Sequence, residues 1–368
     1  MHDAIVVGAG PSGARISANL ASKGFKVLMI DLKSEIGVPN HCSGLVDERV
    51  VKLVGYDLVI DKPEQAEIIT PLSSFFISSK KMFVVDRIKL DKKLSEIAQS
   101  SGVHIALRRR FFNYSIKDNE INVLTSGMGG FMEFRTRFLI GSDGPLSQVR
   151  NLSRIKSPKL LPSVQFDVDE RSSKVKLYLD RTKTPEFFSW EIPHDMETEI
   201  GASGIGSLST VASLASKKKI VNKRGGIIPL GPTDLGMGNI FLTGDSAGLN
   251  KATTGGGLYA ALKSSDSLSE AILMDGNILK NYRRIWYSNF GKEINRDFVL
   301  RRLIDKIEKY YQIWIPFSMA NIRGINSVGD IDYPSKLLLY ILAASPLKIN
   351  EIIKDTILLS DRNHNYSK

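Results

Sequence analysis

A single cysteine, Cys42, occurs in 368 residues. An intrachain disulfide is therefore impossible, and a cysteine-ligated zinc or iron–sulfur centre lacks its ligands. Histidine is scarce as well: the five are scattered without metal-ligand spacing, so no metal site is expected. No apolar run approaches the roughly 20 residues that span a bilayer, and the best, Leu337 to Ala344, stops at Pro346. The first strand-like run, Ala4–Val7, begins almost at the first residue and leaves no room for a signal peptide. The expectation is a cytoplasmic protein that can still touch a membrane peripherally. Acidic residues are in deficit, 39 against 50 Lys and Arg, giving a formal net charge of +11. That excess favours anionic partners. The clusters Arg108–Arg110 and Lys217–Lys219 lack the interleaved aromatics of a base-stacking surface, so nucleic acid is not expected. A solvated face, a lipid headgroup contact or an acidic electron donor remain as readings of these clusters.

What is present is ordinary for a globular chain: 42% hydrophobic and 24% charged residues. The length suits two or three connected domains. Residues 1–31 read as strand, Gly-rich turn, helix ending at Gly24, and second strand. A short helical stretch follows near Asp47–Leu53. Residues 62–86 read as strands, and Asp86–Ser100 as a helix with Asp91, Lys92 and Lys93 on its outer side. Strands are expected at Val103–Leu107, Asn113–Ile116, Ile121–Leu124 and Phe134–Ile140. Alternation over 160–206, as in Val175, Leu177 and Leu179, predicts a second sheet. Residues 225–232 read as a Gly/Pro-rich crossing, and Ile240–Thr243 as a further buried strand. From about 276 onward the spacing is helical and aromatic-rich.

The chemistry-bearing motif is Gly8-Ala9-Gly10-Pro11-Ser12-Gly13, which follows a strand and opens a helix inside a βαβ unit. Gly8 permits the tight turn, Gly10 lets backbone approach a pyrophosphate, and Gly13 allows helix and strand to pack closely. The helix start offers free N–H groups and partial positive charge to phosphates. Asp31, 18 residues after Gly13, can accept from both ribose hydroxyls. This fingerprint serves FAD and NAD alike. Three later turns bear on the choice: Gly141-Ser142-Asp143-Gly144, followed by Ser147 and Arg150; Gly244-Asp245-Ser246-Ala247-Gly248; and Thr254-Gly255-Gly256-Gly257 at a helix start. Gly201-Ala202-Ser203-Gly204-Ile205-Gly206 looks like a second dinucleotide motif but has no acidic residue about 20 positions on, and reads as a strand-to-helix turn.

Together with Asp86-Arg87, this set resembles the FAD-dependent hydroxylase-fold superfamily. Within it the chain most resembles the geranylgeranyl reductase family. The segment Gly37–Leu45 (GVPNHCSGL) is similar to that family's Cys-containing flavin loop, and Pro185–Pro193 (PEFFSWEIP) to its P-x-x-Y-x-W-x-F-P pocket motif, with Phe188 and Ile192 substituted. The resemblance covers about residues 1–275. It implies an α/β (overall α+β) architecture: a Rossmann-like FAD-binding domain (1–61, 87–160 and 225–275), an inserted antiparallel-sheet substrate domain (62–86 and 161–224) and a helical C-terminal region (276–368). It places Gly8, Gly10, Ser12, Gly13, Asp31, Cys42, Ser43, Leu45, Arg87, Asp143, Gly244, Asp245, Gly255, Gly256, Gly257 and Leu258 at FAD. It puts Phe187, Phe188, Trp190 and Pro193 in a substrate pocket, with Cys42 as a candidate proton donor or gate.

The implied reaction is reduction of isoprenoid C=C bonds, with a geranylgeranyl lipid as substrate and an external electron donor: NAD(P)H, ferredoxin or a deazaflavin. Two other readings stay open. One is a flavin monooxygenase or halogenase of the same fold, since Phe188–Pro193 also resembles W-x-W-x-I-P. The other is a non-catalytic flavin-containing lipid-binding protein, for which Trp286, Tyr310, Tyr311, Trp314 and Phe317 would form a lipid-facing lid.

Overall fold

A computed structural model describes residues 1–71, 74–311 and 330–344, with the side chains of 307–311 and 340–344 left out. The first 30 residues fold as their pattern demands. Ala4–Val7, within the strand His2–Val7, and Val27–Ile30 are apolar runs in parallel strands, buried on both faces. Between them runs the helix Pro11–Ala21, which starts at a proline, where the missing N–H costs nothing. Gly24 takes a positive φ of 87° in the turn that follows.

These strands are the centre of an eight-stranded sheet among the described residues. On one side of His2–Val7 lie Gly130–Gly141 and Ile240–Leu242, both parallel; on the other side, Val27–Ile30 and His104–Ala106. Gly130–Gly141 extends beyond the sheet and turns back as an antiparallel meander with Glu120–Gly127 and Arg110–Lys117. The helices Arg87–Ser100 and Leu258–Ile272 pack against Pro11–Ala21. Asp86 starts the first of these by accepting from the Lys89 N–H at 3.0 Å.

A second, seven-stranded sheet runs Ile220–Leu230, Lys159–Val168, Glu197–Ser203, Ser189–His194, Val175–Tyr178, Gln65–Ile69, Ser74–Ser78. All its pairs are antiparallel except Val175–Tyr178 with Gln65–Ile69. A small third sheet joins Leu45–Asp47, Met82–Val85 and Val59–Asp61. The mixed α/β architecture is as expected from sequence.

Two local readings are corrected. Residues 225–230 are no crossing. They complete the strand Ile220–Leu230, whose glycines 225 and 226 pair with Val164 and Ser163. Asp91 does not face outward. It is 8% exposed and pairs with Arg87 one turn earlier, at 3.0 Å. The cation turned inward at residue 87 drew its partner in with it.

Beyond residue 276 the helices Ile278–Trp286, Lys292–Tyr311 and Pro334–Ala344 complete the described chain, with a π-turn at Tyr287–Gly291. Trp286 is a core residue, buried against Phe290, rather than part of a lipid-facing lid. Trp314 and Phe317 lie outside the described residues, as do the side chains of Tyr310 and Tyr311. Among the described residues, no helix is long and apolar enough to cross a membrane.

Candidate functional site: a dinucleotide cradle opening on an apolar tunnel

The Gly-rich turn is built by contact. A Cβ on Gly8 would fall 2.2 Å from the Ser142 carbonyl oxygen, so the first and second glycine turns touch. A Cβ on Gly13 would fall 1.9 Å from the Gly8 carbonyl oxygen. By contrast a Cβ on Gly10 would meet nothing within 4 Å. Gly8 and Gly13 are thus required by the protein itself, whereas Gly10 borders open space at an uncapped helix start. Asp31 fastens this turn: one carboxylate oxygen accepts from the Ala9 N–H at 2.7 Å, the other from the Lys33 N–H at 2.8 Å. Ser12 is tied to Ser265 of the helix Leu258–Ile272 at 2.9 Å.

From this turn a cavity of about 530 Å³ runs into the molecule. Gly10, Ser12, Cys42, Ser43, Leu45, Arg87, Asp245, Gly255, Gly256, Gly257 and Leu258 all line it, as do Phe187, Phe188 and Trp190. Residues more than 240 positions apart thus share one wall. Gly8, Gly13, Asp31 and Gly244 hold the turns behind it. Two sequence assignments do not reach the wall. The Asp143 carboxylate turns away to accept from the Gln148 and Val149 N–H groups, while its neighbours Ser142 and Gly144 line the cavity. Pro193 is also off the wall, because strand side chains alternate: Trp190 and Ile192 point in and Pro193 points out.

The Cys42 loop is held locally. Asn40 accepts from the Cys42 N–H at 3.0 Å, and the Cys42 thiol accepts from the Gly44 N–H at 3.5 Å. His194 Nε2 lies 2.6 Å from the Ser43 carbonyl oxygen, bolting the loop to the second sheet. Arg87 sits between Asp91, Cys42 and Asp245. Burial works against its charge, but Asp91 and Cys42 more than offset this and hold the guanidinium well protonated. Burial also pushes the Asp245 carboxyl up to about 6, against a smaller opposing pull from Arg87.

That shift has a sign. A carboxyl whose folded value lies above its unfolded value favours the fold below the ordinary carboxylate range and loses this contribution as pH rises to about 6. Replacing Asp245 with Asn is therefore expected to stabilise the flavin-free protein above pH 6 by about 1–3 kcal/mol. It should also flatten the pH dependence between the ordinary carboxylate range and that value. Urea unfolding of both proteins across that range checks this, and an unchanged slope refutes it.

The apolar end of the cavity is floored by the second sheet. Phe187 and Phe188 stack at 4.4 Å, and Phe188 meets Trp190 edge-on at 5.8 Å. Arg301 lies over the Phe187 ring at 5.5 Å. Trp190 is positioned by polar groups that sequence reasoning missed. Its indole N–H donates to Glu199 at 2.7 Å, and Arg224 donates to both Glu199 (2.8 Å) and Asp167. A Cβ on Gly201 would fall 2.3 Å from the Trp190 ring, so Gly201, the first glycine of the false dinucleotide motif, is the seat of that indole.

Asp167, His194 and Glu199 also place donor atoms within 4.8 Å of one another, which scattered histidines did not suggest. The cation between the two carboxylates is already the Arg224 guanidinium.

Lys251, also missed, sits on the wall beside Gly256 and donates to Asp332 (3.0 Å) and to the Ile331 carbonyl (2.7 Å). With Arg49 gripping Asp330 through two hydrogen bonds of 2.9 and 2.8 Å, it fixes the segment before Pro334 as another wall of the cavity. A lone lysine among glycines gave no signal of this before its partner, 81 residues on, was in place.

These features fit a dinucleotide carrying a flat ring system. Backbone approaches at Gly10, the Gly255–Gly257 helix start is free of side-chain caps, and Asn250 beside it is buried with neither side-chain polar atom bonded within the protein. The fold is the one seen in FAD-dependent hydroxylase-fold flavoproteins.

No family model matches the chain. Digeranylgeranylglycerophospholipid reductase 1 of Methanococcoides burtonii is 28% identical over 93% of this chain and 91% of its own. Among solved structures, a geranylgeranyl bacteriochlorophyll reductase-like protein of Thermoplasma acidophilum superposes with a TM-score of 0.79 at 16% identity, over 96% of this chain and 99% of that one. A flavin-dependent brominase superposes at 0.69 and 16% identity, over 98% of this chain and 99% of that one. The resemblance to geranylgeranyl reductases read from the motifs is borne out by these relatives.

Proposed function

We propose that the protein is an FAD-dependent reductase of isoprenoid C=C bonds, acting on geranylgeranyl chains of archaeal-type membrane lipids. The observation that carries this reading is the continuity of one cavity from the glycine turns to an aromatic and aliphatic floor. An isolated alkene offers no polar handle, so its site must bind by apolar area and exclude water. Phe187, Phe188, Trp190 and Ile192 supply such a wall.

When bound, FAD supplies the hydride equivalent. Gly10, Ser12, Arg87, Asp245 and the Gly255–Gly257 turn would hold it. Cys42 is the candidate proton donor or gate. Its thiol stands on the wall beside Arg87. The electron donor is an external NAD(P)H, ferredoxin or deazaflavin; the Gly201–Gly206 glycines serve Trp190 and a turn instead of a second dinucleotide.

Flavin reoxidation under anaerobic conditions tests the proposal. The chemically reduced protein is given a geranylgeranylated glycerophospholipid. The expected result is reoxidation with a lipid mass gain of two hydrogens per bond reduced. A flavin that stays reduced until oxygen is admitted would favour the monooxygenase or halogenase reading. Tight lipid binding with no reoxidation at all would favour the non-catalytic one.

A further inference from the structure

The meander that leaves the first sheet ends in a hairpin whose side chains are apolar and uncovered. Met128 is 89% exposed, Phe131 62%, Phe112 47% and Met132 45%. They do not stand singly: the Phe112 and Phe131 rings meet edge-on at 5.2 Å, forming one knob. The strand register brings cations to the same end, pairing Ser126 with both Arg110 and Phe131. Arg108 reaches the Met128 sulfur at 3.9 Å, and Arg109 bonds Thr125 at 3.1 Å.

None of Arg108, Arg109 and Arg110 is in an ion pair among the described residues. Lys218 and Lys219 of the other basic cluster, by contrast, are paired with Glu170 and Asp169. Of the nearby carboxylates, Asp118 and Glu120 lie at the opposite end of the meander, and Glu133 is level with Leu124.

We propose that this hairpin end docks on an anionic lipid bilayer. Met128, Phe131 and Phe112 enter the interface, while Arg108 and Arg110 lie among the phosphates. A projecting tip suits a bilayer, which opens around it, whereas a protein partner would need a matching pocket. Exposed apolar side chains ringed by unpaired cations are what anionic membranes retain. The inference deepens the lipid-reductase reading and rests on it for choosing a bilayer over a protein.

The test uses the full-length flavin-loaded protein and two vesicle types, phosphatidylglycerol-rich and pure phosphatidylcholine. Sedimentation with the anionic vesicles is expected, weakening with added salt. Arg108→Gln and Arg110→Gln should each reduce partitioning about fivefold, and Met128→Ser with Phe131→Ser about tenfold or more. Tryptophan in Phe131→Trp should shift to shorter wavelength and be quenched by lipids brominated in the acyl chain. No binding, or binding indifferent to these substitutions, overturns the proposal. So does self-association of the wild type that Phe131→Ser abolishes, because the occupant is then a second copy. Reduction of detergent-dispersed substrate should be unaffected by all four substitutions. Its absence in the wild type would sink the reductase reading while leaving the vesicle result to be judged by itself.

Discussion

Arg224→Met is expected to cost about 3–5 kcal/mol of stability, the penalty for removing one partner from a buried ionic network. Arg224 has 9% of its side chain exposed and bridges Asp167 (10%) and Glu199 (0%). Without it, two carboxylates stand together with little solvent. Glu199 keeps only its bond from Trp190, so the cavity wall should loosen along with the sheet. Chemical denaturation measures the first effect. Quenching of tryptophan fluorescence by a neutral solute reports the second. Neutralising the carboxylates in the same protein, with Asp167→Asn and Glu199→Gln, should restore much of the loss, because the penalty lies in unpaired charge rather than lost volume. A fall below about 1 kcal/mol in the single variant, the size of an exposed pair, would show that the network is solvated and that Trp190 is held by packing alone.

The second large effect separates folding from cofactor binding at the first glycine turn. Gly13→Ala places a methyl group against the Gly8 carbonyl oxygen and must push helix from strand. It is expected to lower stability and to yield protein without flavin. Gly10→Ala has space within the protein, since its Cβ meets nothing, and its φ of −75° suits any residue. This variant should unfold at the same denaturant concentration as the parent, yet hold FAD about tenfold more weakly or worse, because the methyl group occupies the approach of the pyrophosphate. Equilibrium dialysis against FAD, beside unfolding of the flavin-free proteins, distinguishes the two. If Gly10→Ala binds FAD normally, the dinucleotide does not cross this turn.

The two experiments address different parts of one cavity, and the parts differ in how far the sequence revealed them. The glycine turns were legible because their constraints are local. A positive φ at Gly8, a helix start at Pro11 and an acidic residue at the end of the second strand are all set within 31 residues. The apolar strands of the first sheet were legible because burial on both faces leaves an unbroken hydrophobic run. Local pattern failed where a residue's partner is distant. Asp91 looked like an outer helix position until Arg87 turned inward. Pro193 belonged to the pocket motif by neighbourhood, yet strand alternation points it away.

By itself, then, the sequence determined the opening strand–helix–strand unit, the dinucleotide turn and the aromatic segment at 187–190, since each depends on spacing and conformational preference along a short stretch. Only the tertiary structure decided which of these share a wall. Pairing of Trp190 with Gly201 seats the indole, Arg224 and Glu199 hold it, and Lys251 with Asp332 closes the cavity from the C-terminal side. Those are contacts between charges and rings up to 81 residues apart. Coulombic attraction and close packing act through space, and spacing along the chain carries no trace of them until the two sheets have come together.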